Sequence, residues 1–358
     1  MTLFNHSFLF CAPLYAADMV SFRKLAKHGI DFYETRALCC THPGDVIQLD
    51  PRLREDFPFM REHYKRIGLD CTAHVVWSVE AKVADDFPEH HLSAYIFIDA
   101  IHAVRPDAKR LAATKRYADK NNFMRRCKGI VPIPKTIFAE TAQPPDYTKL
   151  QFPLYVKGAV SSGGSSAYLC KNRQDVTRAI GKMQGPYQLQ EAVDAVAFLG
   201  VEYNITPQGD VEFLAQTQQI LDGVEYVGTR FPAGYEAPIL AIARRAAQDG
   251  VRGKIGFDVA VTADNQFFVL ECNPRWNGAT YPLAIAGRLG IKEWSTAHVP
   301  VAARELKHVN FGDAEYNAKR GTGVILVNWG VFKLGWIEVM LVGTPEQQQA
   351  LHRRIAHL

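Results

Sequence analysis

Short apolar runs alternate with helical patterns in the first third of the chain. Strand-like runs occupy Ser7–Pro13, Val46–Leu49, Ala73–Val79 and Ala94–Ile98, and apolar positions at helical spacing predict a helix at Asp18–His28. This alternation predicts a parallel α/β domain with a Rossmann-like layout. No G-x-G-x-x-G sequence follows the first strand, so nothing there indicates a dinucleotide site.

The middle of the chain combines helices and strands without this alternation. Lys109–Arg126 is a basic helical stretch, and Val131–Pro134 is extended because each proline disfavours helix in the residue before it. The apolar strand Phe152–Val156 leads through Lys157 into a loop of serine and glycine, Ser161–Ser166. A strand and two further helices are predicted at Ala167–Cys170, Asp175–Met183 and Pro238–Asp249.

Strand pairs joined by tight turns characterise the second half of the chain. Val201–Thr206 and Val211–Gln216 flank Pro207–Asp210, which is a turn by composition. Phe257–Thr262 and Phe267–Glu271 flank a second turn of the same kind. Strand-like runs continue near the C-terminal end, at Gly323–Val327 and Trp336–Val342.

The length of 358 residues favours more than one domain. We expect an N-terminal α/β domain at residues 1–108, a central domain at 109–300 and a small C-terminal segment at 301–358. Within the central domain, we expect a small lobe at about 120–195 and a large lobe at about 196–300.

Composition and charge exclude several classes of protein. A hydrophobic fraction of 47% is typical of globular proteins, and a net charge of +4 gives no reason to expect nucleic acid or a membrane as partner. No Lys or Arg precedes the apolar stretch Phe8–Ala17, which argues against a signal peptide. The seven cysteines are odd in number and contain no C-x-x-C pair, so we expect a reducing compartment and a cytoplasmic protein.

Two acidic residues on the second strand pair indicate a metal site. Asp258 and Glu271 lie on adjacent predicted strands, each beside apolar residues. Neighbouring carboxylates repel one another and burial increases that repulsion, so a cation is needed between them. Magnesium suits two carboxylates together with substrate phosphates. Asn273 offers a third oxygen, and Arg275 supplies a planar guanidinium group that can bind phosphate or carboxylate.

Lys157 and the loop after it indicate a phosphate site in the small lobe. A lysine at a strand end, followed by small residues, can place one positive charge and several backbone N–H groups around phosphates. The order differs from a P-loop, because the lysine precedes the glycines. A third element, Tyr187–Val193, could present backbone groups to an adenine edge, with Glu191 accepting a hydrogen bond from the exocyclic amine.

These elements, in this order, resemble the ATP-grasp superfamily. Thr114–Lys120 followed by Gly129–Pro134 is similar to the opening motif of the superfamily, and the E-x-N-P-R string at Glu271–Arg275 is its most specific match. The resemblance covers roughly residues 110–285 and implies a Rossmann-like domain before an ATP-grasp domain of two lobes, with ATP between the lobes. The last 50 or so residues look most like the C-terminal segment of the pheganomycin-type peptide ligases, through Gly321–Val324 and Gly335–Glu338.

The resemblance implies a role for each matching residue. Lys120 and Lys157 would contact phosphates, Lys157 and Arg275 would act in catalysis, and Asp258, Glu271 and Asn273 would bind Mg²⁺, with Mn²⁺ as an alternative. The remaining ATP contacts implied are Ser162, Gly163 and Gly164 in the loop, Glu191 and Val193 at the adenine hinge, Glu202 at the ribose and Leu270 under the adenine.

The implied activity is that of a carboxylate–amine ligase. The enzyme would transfer the γ-phosphate of ATP to a carboxylate, let an amine displace phosphate and so form an amide or peptide bond. The substrates expected are small molecules, such as amino acids or peptides. Whether the protein forms a homodimer is left open. Two alternatives stay open as well: a carboxylase or kinase with another acceptor, and a non-catalytic nucleotide-binding protein. Candidates for the acceptor pocket are Arg230, Phe231, Trp276 and Tyr281.

Overall fold

The N-terminal part of the chain is a parallel α/β unit. The protein is described by a computed structural model that covers residues 1–7, 30–141, 143–161, 166–223, 225–303 and 305–356, so the predicted helix Asp18–His28 lies outside the described residues. Four parallel strands form one sheet in the order β3-β2-β1-β4, which confirms the predicted parallel arrangement. These strands are β1 (Thr2–Asn5), β2 (Val46–Leu49), β3 (His74–Trp77) and β4 (His91–Ala94).

Helical segments connect these strands. A 3₁₀ segment at Ile30–Cys40 precedes β2, helix α1 (Phe57–Arg66) precedes β3, and helix α2 (Asp99–Val104) follows β4. The Ile30–Cys40 segment packs against the C-terminal part of the chain, since the Trp329 indole N–H donates to the Thr35 carbonyl at 3.0 Å. The N-terminal unit therefore shares its core with the end of the chain.

One strand prediction in this unit was wrong in position, and another lies almost wholly outside the described residues. Strand β1 ends at Asn5, so Ser7 follows the strand instead of beginning it, and the rest of Ser7–Pro13 lies outside the described residues. Strand β4 ends at Ala94, whereas the strand was expected at Ala94–Ile98. The apolar run after Ala94 is a buried connection that packs against Leu111, Val160 and Trp276, which explains why its composition resembled a strand.

The small lobe, with the helix that precedes it, consists of helices and a four-stranded sheet. The predicted basic helix is two helices, α3 (Ala108–Ala118) and α4 (Lys120–Cys127), because Asp119 adopts an extended conformation between them and its side chain caps α4 by accepting from the Asn122 N–H. The sheet is antiparallel with the order β5-β8-β6-β7. Its strands are β5 (Thr136–Ala139), β6 (Leu154–Gly158), β7 (Ala167–Cys170) and β8 (Tyr187–Glu191), with helix α5 at Arg173–Ile180.

An eight-stranded antiparallel sheet forms the large lobe, in the order β13-β12-β9-β10-β11-β14-β16-β15. Its strands are β9 (Ala195–Ile205), β10 (Val211–Asp222), β11 (Glu225–Phe231), β12 (Gly253–Thr262), β13 (Phe267–Asn273), β14 (Trp294–Pro300), β15 (Gly323–Asn328) and β16 (Trp336–Val342). Helices α6 (Leu240–Asp249), α7 (Thr280–Leu289) and α8 (Pro345–Ile355) accompany it.

The C-terminal strands continue this sheet. Strand β16 pairs with β14 over seven residues, from Trp294 opposite Val342 to Pro300 opposite Trp336, and β15 forms the edge. The small C-terminal unit expected from the sequence is thus joined to the large lobe through one continuous sheet. None of the helices in the described part of the chain is long and apolar enough to cross a membrane.

Candidate active site

The two acids predicted to bind metal face each other across a strand pair. In the β12–β13 ladder Asp258 lies directly opposite Glu271, and the ladder then shifts register between Asp258 and Val259. Both side chains line the same cavity. Burial raises the pKa of Asp258 to about 7, and the negative charge of Glu271 adds to that rise. The pair therefore has the electrostatic strain that a bound cation would relieve.

Hydrogen-bond donors and one lysine partly compensate these acids. Asp258 accepts from the Gln219 amide at 2.8 Å and from the Asn273 amide at 3.2 Å. Glu271 Oε1 lies 3.0 Å from the Lys120 ammonium, whose side chain is 5% exposed. Lys120 comes from the first turn of α4, so this ion pair joins the small lobe to the large lobe.

Lys157 is the second lysine at this position. It lies on β6, and its ammonium donates to the Gln190 side chain at 2.7 Å. Burial lowers its pKa to about 8, with Lys120 lowering it further and the Glu271 and Asp258 carboxylates opposing the change. The four charged side chains line the same cavity. We call Lys120, Lys157, Asp258 and Glu271 the phosphate end of the cavity.

Asn273 and Arg275 continue the same row of side chains. Arg275 donates to the Asn273 side-chain oxygen at 2.7 Å and to the Tyr95 hydroxyl at 2.9 Å. The Asn273 oxygen therefore points to Arg275, while its amide nitrogen points to Asp258. For Asn273 to bind a metal with its oxygen, its amide group would have to turn over.

Glu202 lies deep in the cavity beside the acid pair. Its carboxylate accepts from the Asn277 amide at 2.7 Å, and burial raises its pKa to about 8, with Asp258 adding to the rise and Arg275 opposing it. Gly256 lies opposite Glu202 in the β9–β12 ladder, and a Cβ there would stand only 2.7 Å from Glu202 Oε1. Glycine is therefore required under this carboxylate.

The cavity between the lobes has a volume of about 370 Å³ and is lined by eight of the predicted site residues: Lys120, Lys157, Glu202, Asp258, Leu270, Glu271, Asn273 and Arg275. Glu191 and Val193 are not among its lining residues. The Glu191 carboxylate instead accepts from the Gln151 N–H at 2.9 Å. Ser162, Gly163 and Gly164 lie outside the described residues.

The cavity is also lined by residues to which the sequence analysis assigned no role in a site. Tyr33, Arg36, Tyr226, His298 and Trp336 line it, and we call these five residues the aromatic end. They come from the Ile30–Cys40 segment, β11, β14 and β16. No local motif joins these segments, so the only signal available was their aromatic and basic composition.

The four acceptor-pocket candidates predicted from the sequence are not among the lining residues of this cavity. Phe231 instead stacks on Trp294 at 6.1 Å in the core, and Arg230 is exposed on β11. Trp276 and Tyr281 stack on each other at 5.2 Å. The side-chain types were suitable, but strand register and helix packing turn these residues elsewhere.

The fit of a divalent cation depends on the donors at the phosphate end. Asp258 and Glu271 supply two carboxylates, and Asn273 supplies an amide beside them. Among the described residues, no group of three His, Cys, Asp or Glu side chains could hold a metal. This donor set suits Mg²⁺, which accepts one or two carboxylates when phosphate oxygens complete its coordination.

Comparisons with known proteins agree with this geometry. Residues 117–279 match the profile of a family described as ATP-grasp domain. The fold is similar to carboxyaminoimidazole ribonucleotide synthase from Aspergillus clavatus in complex with ATP, at 13% identity and a TM-score of 0.57, covering 83% of this chain and 94% of that one.

Two further solved structures share the fold. The L-amino acid ligase from Bacillus licheniformis is 15% identical, with a TM-score of 0.56 and coverage of 87% of this chain and 91% of that one. The biotin carboxylase domain of 2-oxoglutarate carboxylase from Hydrogenobacter thermophilus, with MgADP and bicarbonate, is 10% identical, with a TM-score of 0.56 and coverage of 86% and 84%. Residues 117–279 thus match an ATP-grasp domain, where the motifs indicated one, and the similar structures share the fold.

Proposed function

We propose that this protein is an ATP-dependent carboxylate–amine ligase that forms an amide or peptide bond and releases ADP and phosphate. One observation carries the proposal: Asp258 and Glu271 face each other in register, and Lys120 and Lys157 reach them from the other lobe. Two acids and two lysines around one cavity suit the terminal phosphates of Mg-ATP.

The relatives of similar fold support ATP as the phosphate donor. One is an ATP complex and another an MgADP complex, as their names state. The L-amino acid ligase supports an amine as acceptor, because its name describes the joining of amino acids. The resemblance of the C-terminal segment to pheganomycin-type peptide ligases points in the same direction.

Mg²⁺ would be held by Asp258 and Glu271, with Asn273 beside them. When bound, it supplies charge neutralisation for the phosphates of ATP. Mn²⁺ has similar ligand preferences and would substitute for it. In this arrangement Lys120 would exchange part of its contact with Glu271 for phosphate oxygens, and phosphate would keep Lys157 charged in spite of its burial.

The reaction would proceed in two displacements. A carboxylate oxygen of the first substrate attacks the γ-phosphorus of ATP, the bond to the bridging oxygen breaks and ADP leaves. The amine of the second substrate then attacks the carbonyl carbon of the acylphosphate, the bond to the phosphate oxygen breaks and the amine loses a proton. Arg275, fixed by Asn273 and Tyr95, lies next to the acid pair and would hold the oxygens that gain negative charge.

The other predicted contacts keep their proposed roles. Ser162, Gly163 and Gly164 would close over ATP and exclude water, which protects an acylphosphate from hydrolysis. Leu270 would pack under the adenine, Val193 and Glu191 would meet its edge, and Glu202 would reach the ribose. The Glu191 and Val193 roles are the weakest fit, because neither residue lines the cavity and the Glu191 carboxylate accepts from the Gln151 N–H. The Glu202 carboxylate lines the cavity, but it lies among the charges of Asp258 and Arg275.

We propose the same domain division as before, with an N-terminal domain at 1–108, the ATP-grasp domain at 109–300 and a C-terminal segment at 301–358. Residues of the first and last parts reach the cavity, so we expect activity to need the whole chain. A cytoplasmic location and a homodimer are part of this proposal.

A carboxylase or kinase with a non-amine acceptor is the second candidate, since the neighbour from H. thermophilus is a carboxylase domain in complex with bicarbonate. A non-catalytic nucleotide-binding protein is less favoured, because the acids and lysines at the phosphate end are retained.

The test is a screen for ADP release with Mg-ATP over amino acids and dipeptides, with added hydroxylamine as a trap for acylphosphate. We expect ADP release that requires an amine, and a hydroxamate in the trap. The matched control is Glu271→Gln, which should give neither product. ADP release that is independent of every amine but stimulated by bicarbonate would contradict the ligase and favour the carboxylase.

A further inference from the structure

The aromatic end of the cavity contains a buried cation whose hydrogen bonds are incomplete. The Arg36 side chain is 9% exposed, and its Nη2 lies 3.2 Å from the Glu338 carboxylate. Its Nε–H has no partner among the described residues, although it is buried. A buried donor without a partner is costly, so this N–H is a position where a ligand oxygen would be favourable.

Neighbouring rings hold the Arg36 guanidinium in place. It lies 4.2 Å from the centre of the Tyr33 ring and 5.8 Å from that of Tyr281. Glu338 lies at Nη2, and the neighbouring Nε–H is the donor that is left for another acceptor. A carboxylate matches a guanidinium edge with two oxygens.

This cation is distinct from those at the phosphate end. Lys120 is paired with Glu271, and Lys157 donates to Gln190. Arg36 and Arg275 line the same cavity. A substrate carboxylate activated next to Arg275 would thus have a second anion-binding group in the same cavity.

The other residues at this end are suited to an apolar group. Trp336 packs against His298 with ring centres 4.6 Å apart, and both line the cavity with Tyr226. Leu221 and Val227 extend this apolar wall. Aromatic walls with one buried cation suit a ligand that carries a large apolar group and one negative charge.

We propose that Arg36 binds the carboxylate of the amine substrate and that Tyr33, Tyr226 and Trp336 enclose an aromatic or other large apolar side chain of the same molecule. The acceptor is then an amino acid, or a peptide with a free carboxylate, and a simple amine is excluded. This inference rests on the proposed ligase function. Arg36 is a specificity-determining residue, and Glu338 positions it.

The experiment compares amino acids with the amines formed by removing their carboxylate. The pairs are L-phenylalanine with phenethylamine, L-tyrosine with tyramine, L-tryptophan with tryptamine and L-leucine with isoamylamine. Binding is measured by calorimetry on the full chain with Mg²⁺ and a non-hydrolysable ATP analogue, and turnover is measured by ADP release. We expect at least one amino acid to bind on the order of 20-fold more tightly than its amine, since a charge-assisted pair at a buried site is lost.

Three variants assign the effect to Arg36. Arg36→Met should remove the preference for the carboxylate. Arg36→Lys should retain part of this preference, because lysine keeps the positive charge but lacks the planar guanidinium group. The matched control is Arg52→Met, because Arg52 also lies over a ring, that of Phe32 at 4.5 Å, and also pairs with an acid, but outside the cavity. Unchanged affinity for the ATP analogue verifies that each variant is folded.

The outcomes separate this inference from the ligase proposal. Amine-dependent ADP release with equal use of phenethylamine and L-phenylalanine would overturn the role of Arg36 and leave the ligase intact. Arg36-dependent binding of an amino acid without any amine-dependent turnover would support the carboxylate site and overturn the ligase. Failure of all four amino acids to bind would overturn the inference.

Discussion

The two ends of the cavity are built in different ways. At the phosphate end, Asp258 and Glu271 come from one hairpin, and each lysine lies at a strand end or in the first turn of a helix. At the aromatic end, Tyr33, Tyr226 and Trp336 come from an N-terminal 3₁₀ segment, a central strand and a C-terminal strand. Each residue of the phosphate end belongs to a local sequence pattern, whereas the residues of the aromatic end are brought together only by the tertiary fold. Substitutions that affect one end at a time can therefore test whether the two ends have separate roles.

The largest effect is expected at the acid pair. Glu271→Gln and Asp258→Asn should each lower kcat/KM by about 10³-fold or more, because charge neutralisation at transferring phosphates is the main catalytic contribution. Steady-state ADP release measures this loss. Asp258→Asn should also raise the melting temperature without Mg²⁺, since it removes one member of a repelling pair.

Asp264→Asn is the control for the acid pair. Asp264 lies in the turn of the same hairpin, where it hydrogen-bonds Thr262 and Gln266 outside the cavity. Its variant should retain wild-type turnover. Full activity in Glu271→Gln would contradict the proposal that this hairpin binds the metal.

A loss of about 10²-fold in kcat/KM is expected for Lys157→Met, because one cationic contact with the phosphates disappears. The comparison is Lys182→Met. Both lysines lie over a tyrosine ring, Lys157 at 5.1 Å from Tyr155 and Lys182 at 4.8 Å from Tyr168, but Lys182 is exposed and outside the cavity. Equal losses in the two variants would show that the lobe as a whole, and not the position of the charge, was affected.

A loss of about tenfold in apparent acceptor affinity is expected at the aromatic end from Gly278→Ala. A Cβ there would stand 2.7 Å from the Tyr226 hydroxyl, so the ring must shift within the pocket. The KM for the amine substrate should rise and the KM for ATP should not. Gly287→Ala is the control because its Cβ would meet nothing within 4 Å. A parallel rise in both KM values would show that the two ends are not separable.

The smallest effect on activity at neutral pH is expected for His6→Gln, which tests how the N-terminal unit supports the site. The His6 ring hydrogen-bonds the Tyr281 hydroxyl and Ser93 at 3.0 Å each and packs 4.7 Å from Trp276. Burial lowers its pKa to about 3, so the folded protein holds it neutral. The unfolded chain gains a proton near pH 6.5, and stability is therefore lost as the pH falls from 6.5 towards 3.

His6→Gln should flatten this part of the stability profile. At pH 4.5 the wild type should have lost about 2–3 kcal/mol through this residue, and the variant should not show that component. Urea unfolding at pH 7 and pH 4.5 measures the difference between the two proteins. Identical pH slopes would contradict a neutral, buried His6.

Much of the large lobe could be predicted because its strands pair with neighbours in sequence. Phe257–Thr262 and Phe267–Glu271 form a hairpin, as the turn between them predicts. The pairing of Asp258 with Glu271 also depends on a register shift beside Val259, which the alternation of the sequence does not predict. The break at Asp119 was missed because Asp is both a tolerable helix residue and a good N-cap, and composition does not tell these apart.

The residues of the proposed acceptor pocket could not be predicted for a topological reason. Phe231 and Trp276 had suitable chemistry, but the pairing of β11 with β14 sends Phe231 onto Trp294, while Trp276 stacks on Tyr281. Arg36 and Trp336 line the same cavity only because β16 continues the large sheet next to the N-terminal unit. Pairings between distant parts of the chain carry no local pattern.

The most direct test of the central claim is the binding of Mn²⁺ with ATP, followed by electron paramagnetic resonance, in the wild type and in Glu271→Gln. With the acid pair and the lysines holding the metal–nucleotide complex, the wild type should convert the spectrum of free Mn²⁺–ATP into that of a protein-bound ion, and the variant should leave it unchanged. An equal bound signal from both proteins, or none from the wild type at ATP concentrations that support turnover, would contradict the account.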